Sequence, residues 1–295
     1  MESRKIQLVG NRSYSVSLPK RWVLANNLKE KEVVFIDINN NDELIIKKAD
    51  TENRKKESIS VNLEEIDNIA EFLMICYVKN IDNIKILTKK PEYEKIKSIR
   101  NVLKYLEGYD IISENKNKIK ISFLFNTINI NLKKILIRMN YLLKLELASI
   151  ENKDMESLEE TETSIDKLYH LSKRILFSCI RNKKLRQEND IKHDEDIFFY
   201  KDIFKKLENI GDNIVKLKNQ DLSKKETKEL NKFLELLSYL LVKKQNTAQI
   251  KDSLSKIKFK SNDDYTDRIL GRLNELGIDI IQNSVSIKFN ETYFS

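Results

Sequence analysis

The chain has 295 residues, a length that allows two or three compact units. Hydrophobic residues make up 40% and charged residues 34%, with only two prolines and five glycines, which favours long helices over a sandwich of short strands. The start, MESRKIQLVG, has no apolar signal segment, and the dense apolar run IAEFLMICYV is too short to cross a bilayer. Cys76 and Cys179 lack the spacing of a zinc site or a disulfide framework. We therefore predict a cytoplasmic protein, mainly helical, with two buried thiols and no membrane insertion.

The net charge of +8 is compatible with an anionic partner, but solvated lysine faces give such totals as well. The distribution of charge is more informative. Among the first 21 residues, Glu2 is the one acid against five basic side chains, which amounts to half of the net charge. The five are Arg4, Lys5, Arg12, Lys20 and Arg21. Their clustering predicts a contact surface for an anion.

Residues 4–48 predict short strands and one short helix. The segments RKIQLV and SYSVSLP alternate polar and apolar residues, and PKRWVLANN begins with Pro19, which a helix start tolerates. A hairpin with an Asn/Asp turn follows in EVVFIDI-NNND-ELIIKK. Fewer than about 50 residues make a marginal core. We therefore expect this segment to dimerise, so that two copies share one core.

The core of this segment, GNRSYSVSLPKRW from Gly10 to Trp22, resembles the pattern G-x-S-x-x-V-S-L-P-K-x-W, with one extra residue before Ser13. That pattern belongs to the swapped-hairpin DNA-binding domains of the AbrB/SpoVT family, in the variant that archaeal regulators carry. The resemblance implies a homodimer, in which two chains interleave their strands into one small β-barrel, with double-stranded DNA held by surface basic residues. By position, this role passes to the five basic side chains named above. The alternative for each is a solvated charge.

A polar stretch, ADTENRKKE, separates this first domain, 1–48, from a middle domain at 58–125. In the middle domain we predict strands at SISVNL and NIKILT, helices at EEIDNIAEFLMICYVKN and KPEYEKIKSIRNVLKYLEG, and a hairpin at YDIISE-NKN-KIKISFL. Gly108 is expected to close the second helix. The order βαβαββ predicts a small α/β layer. The layer has no catalytic or phosphate-loop motif, so its expected role is spacing, packing or dimerisation.

Residues 126–295 contain five or six amphipathic segments, in which apolar residues recur at spacings of three and four. The run RNKKLRQENDIKHDED between the second and third segments reads as a polar connection. Short connections between amphipathic segments predict an antiparallel helical bundle.

Three Glu-x-x-x-Asp pairs occur in this bundle, and in each the residue six after the Glu is apolar. Each pair should therefore lie at the edge of the buried stripe of its helix. Like charges one turn apart destabilise a helix by about 0.2–0.5 kcal/mol, and a helical glycine such as Gly211 costs up to about 1 kcal/mol relative to Ala. The pairs are Glu162 with Asp166, Glu208 with Asp212, and Glu275 with Asp279. Two explanations stay open: a cation held between helices that approach closely at Gly211, or pairing with basic residues such as Arg272 or Lys167.

Three segments of the bundle resemble the PhoU family. LENIGDNIVKL is similar to L-E-R-I-G-D-x-x-x-N-I, SIDKLYHLSKRIL to E-V-D-x-L-Y-x-L-x-x-R-x-L, and RLNELGIDIIQNSV to the last helix of the family. The resemblance implies two three-helix repeats, with divalent or iron-type metal ions bound at the six residues of the carboxylate pairs. The segment TAQIKDSLSKI has no such pair, so a complete second metal cluster is not expected.

Archaeal proteins that join an AbrB-like start, an α/β segment and a PhoU bundle are similar to this chain along nearly its whole length. The resemblance implies a transcriptional regulator of phosphate uptake, which binds DNA through its N-terminal dimer, relays a signal through its bundle and contacts a phosphate transporter component. The alternative is a protein-only adaptor of such a transporter, which does not bind DNA. Enzyme activity is not predicted, because di-metal bundles use Glu-x-x-His motifs, whereas His170 is expected to be solvated and His193 lies in the polar connection.

Overall fold

A computed structural model of the chain describes residues 3–10, 12–38, 43–48, 57–89, 93–124, 131–243, 247–257, 261 and 263–293. The chain divides into two compact units, 1–56 and 57–295. The second unit contains both the α/β layer and the helical bundle, which the sequence analysis treats as two domains.

The first unit is built from two β-hairpins with a short helix between them. Strand β1 pairs with β2, and β3 pairs with β4, both in antiparallel register. Within its described residues the two hairpins are separate two-stranded sheets, so one chain does not close a barrel. Gly10 adopts a φ of 66° where β1 ends, and Pro19 is the N-cap of the helix, as the sequence predicts. The elements are β1 (Gln7–Val9), β2 (Ser13–Ser15), α1 (Lys20–Ala25), β3 (Val34–Ile38) and β4 (Leu44–Lys48).

The second unit begins with the α/β layer, in the predicted order βαβαββ. Its sheet has the strand order β5-β6-β8-β7, with β5 parallel to β6 and the other neighbours antiparallel. Gly108 does not close the second helix: that helix ends at Leu103, and Gly108, with φ 89°, belongs to the turn that enters the next strand. The elements are β5 (Ser58–Asn62), α2 (Ile69–Val78), β6 (Asn83–Leu87), α3 (Tyr93–Leu103), β7 (Tyr109–Asn115) and β8 (Lys118–Phe123).

Helices α2 and α3 cover one face of this sheet. Alternate residues of β6 and β8 supply its core, because side chains of a strand point to opposite faces. Ile84, Ile86, Ile119 and Ile121 are at most 1% exposed and pack in one cluster with residues of both helices, including Ile99. The residues between them form the other face, which is polar.

In its described residues the helical bundle contains seven helices, one more than the upper count that the sequence predicts. The additional helix, α6, lies in the predicted polar connection, where Leu185 and Ile191 are buried and Asn182 caps the helix through Leu185 N at 3.1 Å. Two apolar residues in a charged run are enough to attach it to the core. The helices are α4 (Leu132–Glu151), α5 (Met155–Arg181), α6 (Lys183–Glu188), α7 (Asp196–Val215), α8 (Lys224–Lys243), α9 (Thr247–Ser255) and α10 (Asp264–Tyr293).

Helix α7 occupies a central place in the bundle, because it packs against α4, α5 and α10. Helices α4 and α5 are joined by three residues and pack side by side, so they run antiparallel. One continuous hydrophobic core connects the helices. No helix in the described ranges is long and apolar enough to span a membrane.

Candidate nucleic-acid interface and carboxylate cluster

The five basic residues predicted to contact DNA all lie on the surface of the first unit. Arg4 and Lys5 precede β1, and Arg12 lies between β1 and β2. Lys20 and Arg21 are the first two residues of α1. Long cationic side chains at such positions can reach a phosphate without any loss of packing.

The same unit leaves most of its apolar side chains in contact with solvent. Tyr14 is 72% exposed and Ile6 is 70% exposed, and none of the residues whose burial is described in this unit is buried. Isolated two-stranded hairpins are at best marginally stable in water. The remaining exposed large hydrophobic residues of the unit are Leu8, Val9, Val16, Leu24, Val33, Phe35, Ile36, Ile38 and Leu44. The residues of this unit whose burial is described thus form no core in a single copy.

In the bundle, members of two of the carboxylate pairs act on a buried residue that the sequence analysis missed. Glu146, on α4, is 0% exposed, and neither of its carboxyl oxygens has a hydrogen-bond partner among the described residues. Gly211 of α7 lies against it: a Cβ atom at position 211 would be 3.1 Å from Oε2 of Glu146 and 3.4 Å from Cδ1 of Ile165. The glycine therefore permits the close helix approach predicted for it, and the space is taken by a carboxyl group.

The acidic side chains of α5 and α7 raise the pKa of Glu146 and that of Asp166 within their own group. Burial raises the pKa of Glu146 to about 9, with further contributions from Glu162, Asp212 and Asp166. The pKa of Asp166 is likewise raised, to about 6. Burial is the largest cause, and the charges of Glu208, Asp212 and Glu162 act in the same direction. Two of the three predicted pairs thus converge with Glu146 into one acidic cluster. Lys205 is its cationic neighbour, with Nζ 2.5 Å from Oε2 of Glu208.

The third pair is held by basic residues, as the second explanation proposed. Glu275 is exposed and accepts a hydrogen bond from Arg272, one turn before it, at 2.7 Å. Asp279 binds Lys206 of α7 at 2.6 Å. Both interactions lie at the partly exposed surface of the bundle, where such pairs contribute little to stability.

The acidic cluster contains four of the six residues that are predicted to bind metal ions. Carboxylate oxygens suit hard cations, and the uncompensated oxygens of Glu146 are donors of the right kind. However, no three His, Cys, Asp or Glu side chains in the described part of the chain are arranged to hold a metal ion. As folded here, the cluster does not form a coordination sphere, and metal binding at the six predicted residues stays a prediction.

His170 is not solvated, contrary to expectation. Its ring is half-buried beside Tyr169, with centroids 5.4 Å apart, and Nδ1 is buried with no hydrogen-bond partner in the part of the chain that the structure describes. Burial, with the charges of Lys173 and Lys205, lowers the pKa of His170 to about 4. The ring is therefore neutral at physiological pH.

The α/β layer is joined to the bundle through Arg174 of α5, a second residue that the sequence analysis missed. Its guanidinium donates to Oδ1 of Asp82 and to the carbonyl oxygen of Tyr77, both at 2.7 Å, and its side chain is 1% exposed. The Phe123 ring lies 3.8 Å from the guanidinium carbon. A signal was present, because Arg174 follows Leu171 by three residues and is therefore in phase with the apolar stripe.

Asn80 completes this joint, which we call the Arg174 joint and define as Arg174, Asp82, Asn80 and Ser178. The Asn80 side chain donates to the carbonyl oxygen of Arg174 at 3.2 Å and accepts from the Ser178 hydroxyl at 2.8 Å. Most of the polar groups brought into the joint are therefore paired, as buried polar groups require.

Comparison with known families identifies the first unit. Residues 7–54 match the family model described as antidote-toxin recognition MazE, bacterial antitoxin. The first unit is thus a MazE/AbrB-like domain, a type found in DNA-binding or antitoxin-type regulators. Searches of curated proteins and of solved structures returned no match.

Proposed function

We propose that the protein is a DNA-binding transcriptional regulator that works as a homodimer. The observation that carries the proposal is the match of residues 7–54 to a MazE-type domain whose five flanking and internal basic residues are all exposed. Domains of this type bind DNA and dimerise. Both properties are proposed for this chain.

The dimer follows from the exposed apolar surface of the first unit. In the register of the second hairpin, Ile36 lies opposite Ile46 and Ile38 opposite Leu44, so one face of the hairpin is aliphatic. Burial of apolar surface contributes about 25 cal/mol for each Å² removed from water. A second copy that interleaves its hairpins with the first would give both copies a shared core.

DNA binding follows from charge placed on that dimer. Each chain contributes five cationic side chains, and two-fold symmetry doubles the set. Lysine and arginine that neutralise phosphates release condensed counterions, which makes such binding strongly dependent on salt. These contacts position the protein on the duplex and carry no sequence preference by themselves.

The bundle is proposed to sense or relay the signal that controls DNA binding, and the PhoU-like motifs suggest phosphate supply as that signal. In this proposal a phosphate transporter component is a partner of the bundle. Occupancy of the protein on its own genome, mapped with phosphate plentiful and scarce, tests this part. Sites whose occupancy does not respond to phosphate would contradict it.

The DNA-binding proposal is tested with the variant in which Arg4, Lys5, Arg12, Lys20 and Arg21 are all changed to Gln. Binding is measured by fluorescence anisotropy over a salt series, with a DNA duplex from the genome that encodes the protein. For the wild type, the binding constant should fall steeply as the salt concentration rises. The variant should bind at least about tenfold more weakly and with a shallower slope. A wild-type dimer that fails to bind duplex at low salt would instead support the protein-only adaptor.

A further inference from the structure

The sheet of the second unit has an open face, opposite to the face that α2 and α3 cover. Its residues form three rows across the four strands, as the pairing registers define them. The first row holds Asn62, Leu87, Lys118 and Asn115; the second holds Ser60, Lys85, Lys120 and Ser113; the third holds Ser58, Asn83, Ser122 and Asp110. Ser, Asn and Lys therefore dominate this face, and most of it contacts solvent.

Four lysines concentrate positive charge at one end of this face. Lys85 is directly opposite Lys120 on the neighbouring strand, Lys118 is two residues away on the same side, and Lys116 lies in the adjoining hairpin turn. We call them the sheet lysines. A shallow hollow at this end is lined by Lys85, Leu87, Asn115, Lys116, Asn117 and Lys118.

The sheet lysines repel one another. Lysines in opposite positions on adjacent strands have their Cβ atoms about 5 Å apart, and like charges so placed are destabilising. In line with this, the charges of Lys120 and Lys85 add to the effect of burial in lowering the pKa of Lys118. None of the four forms an ion pair with another residue in the described ranges. The acids that reach this face stand at its margins, namely Asp110 in the third row and Glu65, which Asn62 holds at 2.6 Å.

Protection of a sheet edge does not explain these lysines. Lysine often blocks the outer strands of a sheet against aggregation. Here Lys85, Lys118 and Lys120 lie on β6 and β8, which are the two inner strands. The repulsion between the sheet lysines is unfavourable in the free protein, and the inner strands need no protection against aggregation. A bound anion would compensate this repulsion.

We propose that the sheet lysines form a second DNA contact, in which the open face of the sheet binds phosphates of the duplex backbone. The inference rests on the proposed function for the identity of the polyanion, and it adds a surface in the second unit to the one in the first. Charge complementarity supports it, and the serine and asparagine side chains around the lysines supply neutral hydrogen-bond donors of the kind that phosphate oxygens accept.

The test uses four full-length proteins in a two-by-two design. They are the wild type, the quintuple variant of the first unit, the variant with Lys85, Lys116, Lys118 and Lys120 changed to Gln, and the combination of both sets. A matched control changes four exposed lysines of α8 to Gln, namely Lys224, Lys225, Lys228 and Lys232, and so alters the net charge equally. Duplex binding is measured by anisotropy between 50 and 300 mM salt.

We expect the sheet variant to bind DNA about tenfold or more weakly, with a salt slope shallower by about 0.9 for each phosphate that the protein no longer neutralises. The α8 control should stay close to the wild type. Equal weakening in both would assign the effect to net charge and overturn the inference. A sheet variant that binds as the wild type does, while the quintuple variant fails, would overturn the inference and leave the proposed function intact.

The reverse pattern separates the two proposals. If the quintuple variant binds normally and the sheet variant does not, the interface proposed in the first unit is wrong and the sheet contact stands. Vesicles containing 30% anionic phospholipid serve as the other polyanion. Lysine-dependent binding to these vesicles, with DNA binding unaffected in the sheet variant, would overturn the inference in favour of a membrane surface.

Discussion

Glu146 places a carboxyl group where an ionised form would be uncompensated. It is fully buried, its oxygens accept no hydrogen bond, and its neighbours in the cluster are further acids. Burying a charge without a partner is so costly that such a group takes up a proton instead. With a pKa of about 9, Glu146 keeps its proton at neutral pH. The sequence analysis offered a bound cation as one way to offset the charge of the carboxylate pairs. At Glu146 a bound proton neutralises the carboxylate instead.

The protonation of Glu146 predicts a particular dependence of stability on pH. Because its pKa is raised in the folded state, the folded protein holds a proton that the unfolded chain has lost above pH 4.5. The free energy of unfolding should therefore decrease as pH rises from 6.5 to 8.5, by up to about 1.4 kcal/mol for each pH unit. The Asp166 proton acts with the same sign at lower pH, since its pKa is about 6. Glu146→Gln should remove the decrease between pH 7.5 and 8.5, where Asp166 and His170, with pKa values of about 6 and about 4, have already lost their protons in the folded protein.

Urea denaturation followed by helical circular dichroism, at pH 6.5, 7.5 and 8.5, measures this slope in both proteins. The comparison is between slopes, because the amide of the variant brings its own unpaired groups and shifts the absolute stability. An equal slope in the wild type and in Glu146→Gln would show that Glu146 does not titrate in this way.

Gly211 and Gly271 predict opposite results for the same substitution. Alanine gains up to about 1 kcal/mol over glycine inside a helix. At Gly271 a Cβ meets nothing within 4 Å, so Gly271→Ala should raise the free energy of unfolding by about 0.5–1 kcal/mol. At Gly211 it would press on Glu146 and Ile165, both buried, and overpacking of this kind costs about 1–3 kcal/mol. Gly211→Ala should therefore lower the free energy of unfolding by about 1 kcal/mol, as measured by chemical denaturation. A gain at both positions would mean that α7 can move away from α4.

At the scale of elements, α5 connects the carboxylate cluster to the α/β layer. Glu162 and Asp166 lie in its first half, and Arg174 enters the joint with the layer two turns later. A rearrangement of the cluster that moved α5 would be felt in the α/β layer through a buried ion pair. This continuity means that the middle segment packs against the bundle through the Arg174 joint.

Two arginines of α5 provide a matched comparison of buried and exposed ion pairs. Arg174→Met leaves the mostly buried Asp82 without its partner, and breaking a buried pair costs about 3–5 kcal/mol. Arg181→Met breaks the exposed pair of Arg181 with Glu57 and should cost less than about 1 kcal/mol. Chemical denaturation measures both. The double variant Arg174→Met with Asp82→Asn should be more stable than the sum of the single losses implies. Simple additivity would contradict a direct coupling of the two side chains.

At the scale of the whole molecule, elements whose patterns are local were predictable and contacts between distant elements were not. The six helices and the βαβαββ order follow from spacings of two and of three to four residues. Glu146 was missed because the acids around it come from α5 and α7, which no spacing within α4 reveals. Gly108 was misassigned because a glycine after a helix also suits the positive φ of the turn before β7. All three carboxylate pairs share the phase of the buried stripe, so this phase does not distinguish the two pairs that converge from Glu275, which pairs with Arg272 of its own helix, and Asp279, which pairs with Lys206 of α7.

The two units differ in how much apolar surface they bury, and this difference predicts how the chain assembles. The second unit buries one continuous bundle core and a second core under its sheet, whereas none of the first-unit residues whose burial is described is buried. Changing Ile36 and Ile38 to Asp places two charges on the aliphatic face of the β3–β4 hairpin, where the partner copy is expected to pack. Sedimentation equilibrium should show a dimer for the wild type and a monomer for the variant, with unchanged helical circular dichroism. The control changes two exposed isoleucines of the bundle, Ile137 and Ile180, to Asp and should remain dimeric. If the control dissociates while the hairpin variant does not, the bundle holds the dimer, because only the surface that loses water on association is sensitive to a new charge.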